Sequence, residues 1–320
     1  MPAMANPAKT NEQSNRPAPR QVNGRECRDP REGKVPDSAA ARRGGWVLPA
    51  FGVIAGIALG VPALVYLIQE HLLFYPQPAG KSPQPPLGYA LEEIALRTEA
   101  NTRLSGWLVR PAAAGAVRPD QPLPLVIYFG GNAEEVSGMV THAGRFGGWA
   151  LLAVNYRGYG GSEGRPAEKA LFSDARLLYD YAAGRPDIDS GRIAIMGRSL
   201  GSGVAVHLAA ERRSAGVILV SPYDSVTSVA QRVYPFLPVR LLLKHRFDSL
   251  SRAPQLAVPM LCLVAGEDSV IPPSHSRRLF DAWAGPKQWH GFPGADHNSI
   301  GGIAEYWEAI SGFLARLPGA

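Results

Sequence analysis

The sequence predicts an α/β fold: a mostly parallel eight-stranded sheet with helices on both faces, preceded by a single transmembrane helix. Three observations predict it. Trp46–Ile68 carries no charged residue. From about residue 85, apolar runs of strand length alternate with longer helical stretches, the pattern of an open α/β sheet. The later strands read as continuous apolar runs, as expected where both faces of a parallel sheet are covered.

Residues 1–45 are rich in Pro, Ala, Arg, Asn and Gly and lack apolar periodicity. Such a segment cannot bury enough surface to offset its ordering entropy, so a disordered basic tail is expected. It holds nine of the 33 Lys/Arg but five of the 27 Asp/Glu, and so most of the net charge of +6. The remainder shows no basic cluster, which argues against nucleic acid as a partner.

At about 1.5 Å per residue, the run 46–68 reaches across a ~30 Å hydrocarbon core. It is longer than a typical signal-peptide core and has no convincing cleavage site. Trp46 and Tyr66 stand near its ends, as interface anchors do. Residues 20–45 contain seven Lys/Arg, whereas residues 69–88 contain only Lys81. The positive-inside rule then puts the N-terminus in the cytoplasm and the rest on the outer side, the periplasm in a bacterium. A buried core helix and an unusual cleaved signal are the alternatives.

Residues 69–320 are the expected folded domain. Its strands are read at Leu91–Arg97, Ser105–Arg110, Leu125–Phe129, Ala150–Asn155, Arg192–Met196, Gly216–Val220, Met260–Ala265 and Gln288–Phe292. Helices are read at about 134–146, 168–183, 200–212, 274–284 and 303–316. A small cap is expected at about 223–250, where apolar Tyr234–Leu243 hints at acyl or lipid-like substrates; a helix completing the core is the plainer reading. Cys27 lies in the tail and Cys262 in an apolar strand, so no disulfide framework is expected and Cys262 reads as a small buried hydrophobe.

Gly-x-Ser-x-Gly occurs twice, at Gly160–Gly164 and at Gly197–Gly201. A nucleophile elbow needs a strand arriving, a sharp turn and a helix leaving, with small residues around the strained serine. Only the second copy has that setting. Apolar Arg192–Met196 leads into it and Val204–Ala210 leads away. Ser162 reads instead as part of a glycine-rich loop.

A serine alkoxide at neutral pH needs a base, and histidine is the natural one. Of seven histidines, His297 stands apart in Gly294-Ala-Asp-His-Asn298, a loop between the last strand and the last helix. There a side chain can reach the C-terminal edge of a parallel sheet, where ligands bind in such folds. Asp268, in the loop after Met260–Ala265, is the expected acid to hold the imidazole. Glu267, Asp296 and Asp224 are its rivals. The chain order Ser199, Asp268, His297 is one known serine-hydrolase order. Backbone N–H groups of Leu200 and of the loop Gly130–Ala133 are expected to hold the oxyanion.

Residues from about 70 to 317 resemble the Bem46-like branch of the α/β-hydrolases, related to the α/β-hydrolase domain-containing proteins 13 and 17. The pieces that carry the likeness are Gly131-Asn-Ala-Glu134, Asn155-Tyr-Arg-Gly-Tyr-Gly160, Gly197-Arg-Ser-Leu-Gly201, Gly266-Glu-Asp268 with Pro272, and His297-Asn298. The resemblance implies the α/β-hydrolase fold, the triad and acyl-hydrolase chemistry, and it suggests Asn132 as the second oxyanion donor. Related hydrolases often carry His-Gly before that asparagine, where this chain has Gly130-Gly131.

The expected activity is therefore a membrane-anchored serine hydrolase cleaving carboxylic esters or thioesters through an acyl-Ser199 intermediate. A serine peptidase or amidase on the same triad, and a non-catalytic scaffold, are the other readings. No cofactor is implied, and no metal-ligand or Walker motif is present in the sequence.

Overall fold

The computed structural model describes residues 47–112 and 121–318. The expected disordered tail 1–45 lies outside the described residues. The chain divides into two compact units between Ile54 and Ala55. Of the first unit, only the start of helix α1 (Val47–Leu73) is described.

Within α1, Phe51–Leu73 is long and apolar enough to cross a membrane, and the expected span 46–68 overlaps it over 51–68. Polar residues near its end stay helical because they have partners. The Gln69 side-chain amide donates to Leu242 O at 3.1 Å, and its Oε1 accepts the Lys244 N–H at 2.7 Å. Pro62 sits inside the helix, as membrane helices allow.

The second unit carries one eight-stranded sheet. Its strands are β1 (Tyr89–Arg97), β2 (Arg103–Pro111), β3 (Leu123–Phe129), β4 (Ala150–Val154), β5 (Ile188–Arg198), β6 (Gly216–Val220), β7 (Met260–Ala265) and β8 (Lys287–Phe292). Their order across the sheet is β1-β2-β4-β3-β5-β6-β7-β8. Only β2 runs against the rest; it pairs antiparallel with both β1 and β4, and every later pairing is parallel.

Side-chain alternation explains the continuous apolar runs. Along β3, Leu125, Ile127 and Phe129 enter one core while Val126 and Tyr128 enter the other. On β5, Ile193 and Ile195 face the first core and Ala194 and Met196 the second. Helices α3 (Glu168–Ala183), α4 (Leu200–Glu211) and α7 (Pro273–Ala282) cover the first face, and α8 (Ala304–Arg316) covers the second. Each fully buried Leu or Ile contributes roughly 1.5–3 kcal/mol of apolar burial.

The expected helix 134–146 is broken. Only α2 (Ser137–Val140) and a 3-10 turn at Ala143–Phe146 form. Glu134 and Glu135 before them are spent on loop contacts, and Gly138, Gly144 and left-handed Gly147 disfavour a continuous helix. Between β6 and β7 the chain forms α5 (Val226–Val233) and α6 (Val239–Leu242), within the segment read as a cap.

Candidate active site

Strand β5 ends at Arg198 and α4 starts at Leu200, so one residue makes the turn. That residue, Ser199, has φ 51° and ψ −118°. A positive φ costs a non-glycine residue of order 1–3 kcal/mol unless its surroundings enforce it. They do so here. The Ser199 N–H donates to Val220 O at 2.9 Å, and Ser199 O accepts the Ser202 hydroxyl at 2.6 Å. Glycine at 197 and 201 lets the backbones close up. A Cβ on Gly197 would lie 2.3 Å from Gly201 O, and one on Gly201 would lie 2.1 Å from Phe129 O.

His297 arrives from the loop after β8. Its Nε2 is 2.9 Å from Ser199 Oγ, and its Nδ1 is 2.7 Å from Asp268 Oδ2. All three side chains are buried. Asp268 follows β7, and its Oδ1 accepts the N–H groups of Val270 (3.0 Å) and Ile271 (2.7 Å). Burial opposes its ionisation, but hydrogen bonds from His297 and the Ile271 N–H outweigh this and hold the carboxyl below its ordinary range. An ionised Asp268 accepts from Nδ1–H, which leaves Nε2 as acceptor for the Ser199 hydroxyl.

The structure thus brings Ser199, Asp268 and His297 into one hydrogen-bonded chain. The rivals lie elsewhere. Asp224 pairs with His275 (2.8 Å) and Arg278 (2.7 Å). Asp296 accepts the N–H groups of Asn298 and Ser299. Ser162 is buried without a histidine partner: it donates to Asn155 O at 2.9 Å and accepts the Ser105 N–H at 2.9 Å.

The loop after β3 passes beside the nucleophile, since a Cβ on Gly131 would lie 3.7 Å from Ser199 Cβ. Among the described residues, neither the Leu200 nor the Asn132 N–H donates to any acceptor, whereas the Gly131 N–H is taken by Glu134 Oε2 at 2.8 Å. Two unspent N–H groups flanking the nucleophile could hold a developing oxyanion.

Sequence reasoning missed what fixes this loop. The Tyr156 hydroxyl donates to Gly130 O (2.9 Å) and the Tyr159 hydroxyl to Asn132 O (2.6 Å), so Asn155–Gly160 clamps the loop after β3. Burial pushes both phenols up, which keeps them protonated donors. The Asn155 side chain accepts the Val136 N–H and donates to Glu135. From the other side, Tyr75 N–H also reaches Asn132 O at 3.0 Å.

The sequence and the fold are similar to those of known proteins. The 35% identity with an uncharacterised protein of Mycobacterium tuberculosis runs over 257 residues, 78% of this chain and 88% of that one. Bem46 of Schizosaccharomyces pombe is 27% identical over 281 residues, covering 81% and 89%. The chain belongs to the Bem46-like α/β-hydrolases. The family model described as serine aminopeptidase, S33, matches residues 120–247, which include Ser199 and the loop after β3. The fold is also that of an acetyl xylan esterase from Paenibacillus sp. R4, with TM-score 0.60 and 21% identity over 73% of this chain and 86% of that one. This Bem46-like chain is thus a hydrolase by family. Within the described residues, no cluster of His, Cys, Asp and Glu could hold a metal ion.

Proposed function

We propose that this hydrolase is membrane-anchored and cleaves carboxylic esters or thioesters through an acyl-Ser199 intermediate. The observation that carries the reading is the hydrogen-bonded chain from Ser199 Oγ through His297 to Asp268. In the proposed cycle His297 Nε2 takes the hydroxyl proton as Oγ attacks the substrate carbonyl carbon. The Leu200 and Asn132 N–H groups receive the oxyanion. Collapse breaks the bond to the alkoxide or thiolate, which leaves with the proton held by His297. A water then repeats the sequence on the acyl-serine and frees the acid.

Two features support a membrane anchor and a lipid-like acyl group. The apolar helix is long enough to span a bilayer, and an apolar cleft of about 120 Å³ runs between Val65–Leu73 and Val226, Leu237 and Val239. Leu73, on the cleft wall, accepts the Asn132 side-chain amide at 3.3 Å and so adjoins the oxyanion loop. Flanking charge favours a cytoplasmic N-terminus; a C-terminal reporter active only in the cytoplasm would reverse that orientation. The description of the matching family model favours a second reading, hydrolysis of an aminoacyl amide by the same residues.

The test is covalent labelling by a fluorophosphonate with wild type, Ser199→Ala and Ser162→Ala in parallel. Labelling lost only in Ser199→Ala supports the reading, and turnover of acyl esters against aminoacyl amides then separates the two chemistries. A folded wild type that does not label refutes both.

A further inference from the structure

Outside the triad, a concentration of unpaired charge lies between α5, α6 and α7. A cavity of about 620 Å³ opens there, and four guanidiniums line it: Arg232, Arg240, Arg246 and Arg278. Arg278 is committed to Asp224, with Nε 2.7 Å from Oδ2. The other three form no ion pair among the described residues, while Asp248 is the one remaining carboxylate on the lining. The Glu168 carboxylate instead accepts the backbone N–H groups of Arg246 and Phe247, each at 2.8 Å, and forms no ion pair with these guanidiniums among the described residues. The Arg246 guanidinium is held toward its neighbour by donating to Arg240 O at 3.3 Å.

Three unpaired cations around one opening repel one another and focus a positive potential into it. Guanidinium forks match phosphate oxygens in bidentate geometry, and the hydroxyls of Thr227 and Ser274 add donors on the same wall. The volume falls in the range of small-molecule sites, roughly 300–1,000 Å³, and leaves room beyond a bare phosphate.

We infer that this cavity binds a phosphate-bearing anion. No triad residue lines it, so the inference does not rest on the hydrolytic reading. Such an anion has two sources, a free phosphate or the headgroup of an acidic phospholipid. The second has support in the fold: Phe236 and Leu241, 97% and 84% exposed, flank these arginines in the chain, and α6 is tied to Gln69 of the apolar helix.

Isothermal titration of the full chain in nonionic detergent tests it, with inorganic phosphate, dioctanoyl phosphatidic acid and dioctanoyl phosphatidylcholine as separate probes. Saturable binding of phosphate or phosphatidic acid is expected, weakened at least tenfold in Arg240→Gln/Arg246→Gln and unchanged in Arg316→Gln, a surface cation elsewhere. Arg232→Gln gives a second reading should the double variant fail to fold. Tighter binding of phosphatidic acid than of phosphate identifies the headgroup as the source; equal binding identifies free phosphate. The inference is overturned if neither anion binds saturably, if phosphatidylcholine binds as tightly as phosphatidic acid, or if the arginine variants bind as wild type does.

Discussion

Arg198 Nη1 lies 3.1 Å from Glu134 Oε2, joining the residue before Ser199 to the loop after β3. The same guanidinium donates through Nη2 to His297 O at 3.0 Å and to Asn298 Oδ1 at 3.2 Å. Glu134 in turn accepts the Tyr128 hydroxyl at 2.6 Å and the Gly131 N–H. One half-buried ion pair therefore registers three loops that come from three different strands.

Arg198 is a positioning residue, and its replacement should disturb geometry without removing any reacting group. Misplacing a reacting group by about 1 Å can cost on the order of 10²-fold in rate. Arg198→Met is expected to lower kcat by ten- to a hundredfold with KM little changed. Arg198→Lys keeps the charge but loses the fork, and should recover only part of the loss. Steady-state kinetics on a soluble acyl ester checks both; an equal fall in kcat for Arg198→Lys and a remote surface variant would refute the role.

Asp268→Asn should leave the fold in place and lower kcat by about 10⁴-fold, the cost of removing the carboxylate that sets the imidazole tautomer. The Val270 and Ile271 N–H groups still find the amide oxygen, so the melting temperature should fall little. Calorimetry alongside kinetics separates loss of chemistry from loss of structure.

Ser162→Ala should do the reverse. It removes a buried hydroxyl that bridges Ser105 and Asn155, and leaves their polar groups short of a partner. A loss of about 1–3 kcal/mol of stability is expected, with turnover per folded molecule close to wild type. Urea titration of this variant against Ser199→Ala makes the comparison.

The sheet was legible because strand-length apolar runs are a local signal, and so was the elbow, which is a strand, a turn and a helix contiguous in the chain. His297 and Asp268 could be found because each sits in a loop just past a strand that reaches the same sheet edge. The role of Asn155–Gly160 could not be found this way. Tyr156 and Tyr159 act on carbonyls at 130 and 132 only because β3 and β4 are paired neighbours, a relation no periodicity reports. The break at 134–146 was hidden for the same reason: Glu134 and Glu135 suit a helix, but Arg198 and Asn155 claim them. The charge of the α5–α6 cavity was equally hidden, since Arg232, Arg240 and Arg246 are spaced too far apart in the chain to show as a basic cluster.

Gly201→Ala should be among the most damaging single substitutions. The added methyl would meet Phe129 O at 2.1 Å and Gly130 O at 2.6 Å, both backbone atoms of the strand end that feeds the oxyanion loop. Neither can yield without moving β3 against α4, so overpacking of about 1–3 kcal/mol or more is expected. Activity should fall further than stability because the displaced atoms carry the loop beside Ser199. Fluorophosphonate labelling rates and thermal melts of the purified variant check this; wild-type labelling would show that the contact is soft.

His207 makes the fold sensitive to acid. His207 is buried and stacked on Phe172, ring centroids 3.6 Å apart. Burial lowers its pKa to about 4, Arg252 adds to this, and Glu211 opposes it. The unfolded chain, with an ordinary histidine near 6.5, binds this proton more readily than the folded one between those values. Stability therefore rises with pH across that window and is lost as pH falls from about 6.5 toward 4, by at most about 1.4 kcal/mol per pH unit for one proton. The lowered carboxyl of Glu211 acts in the same direction on acidification. In His207→Phe the histidine's part of the slope should vanish; the larger ring changes the packing at every pH alike, so the comparison is of slopes. Urea melts at pH 7, 6 and 5 measure it, and an unchanged slope in His207→Phe would place the acid sensitivity elsewhere.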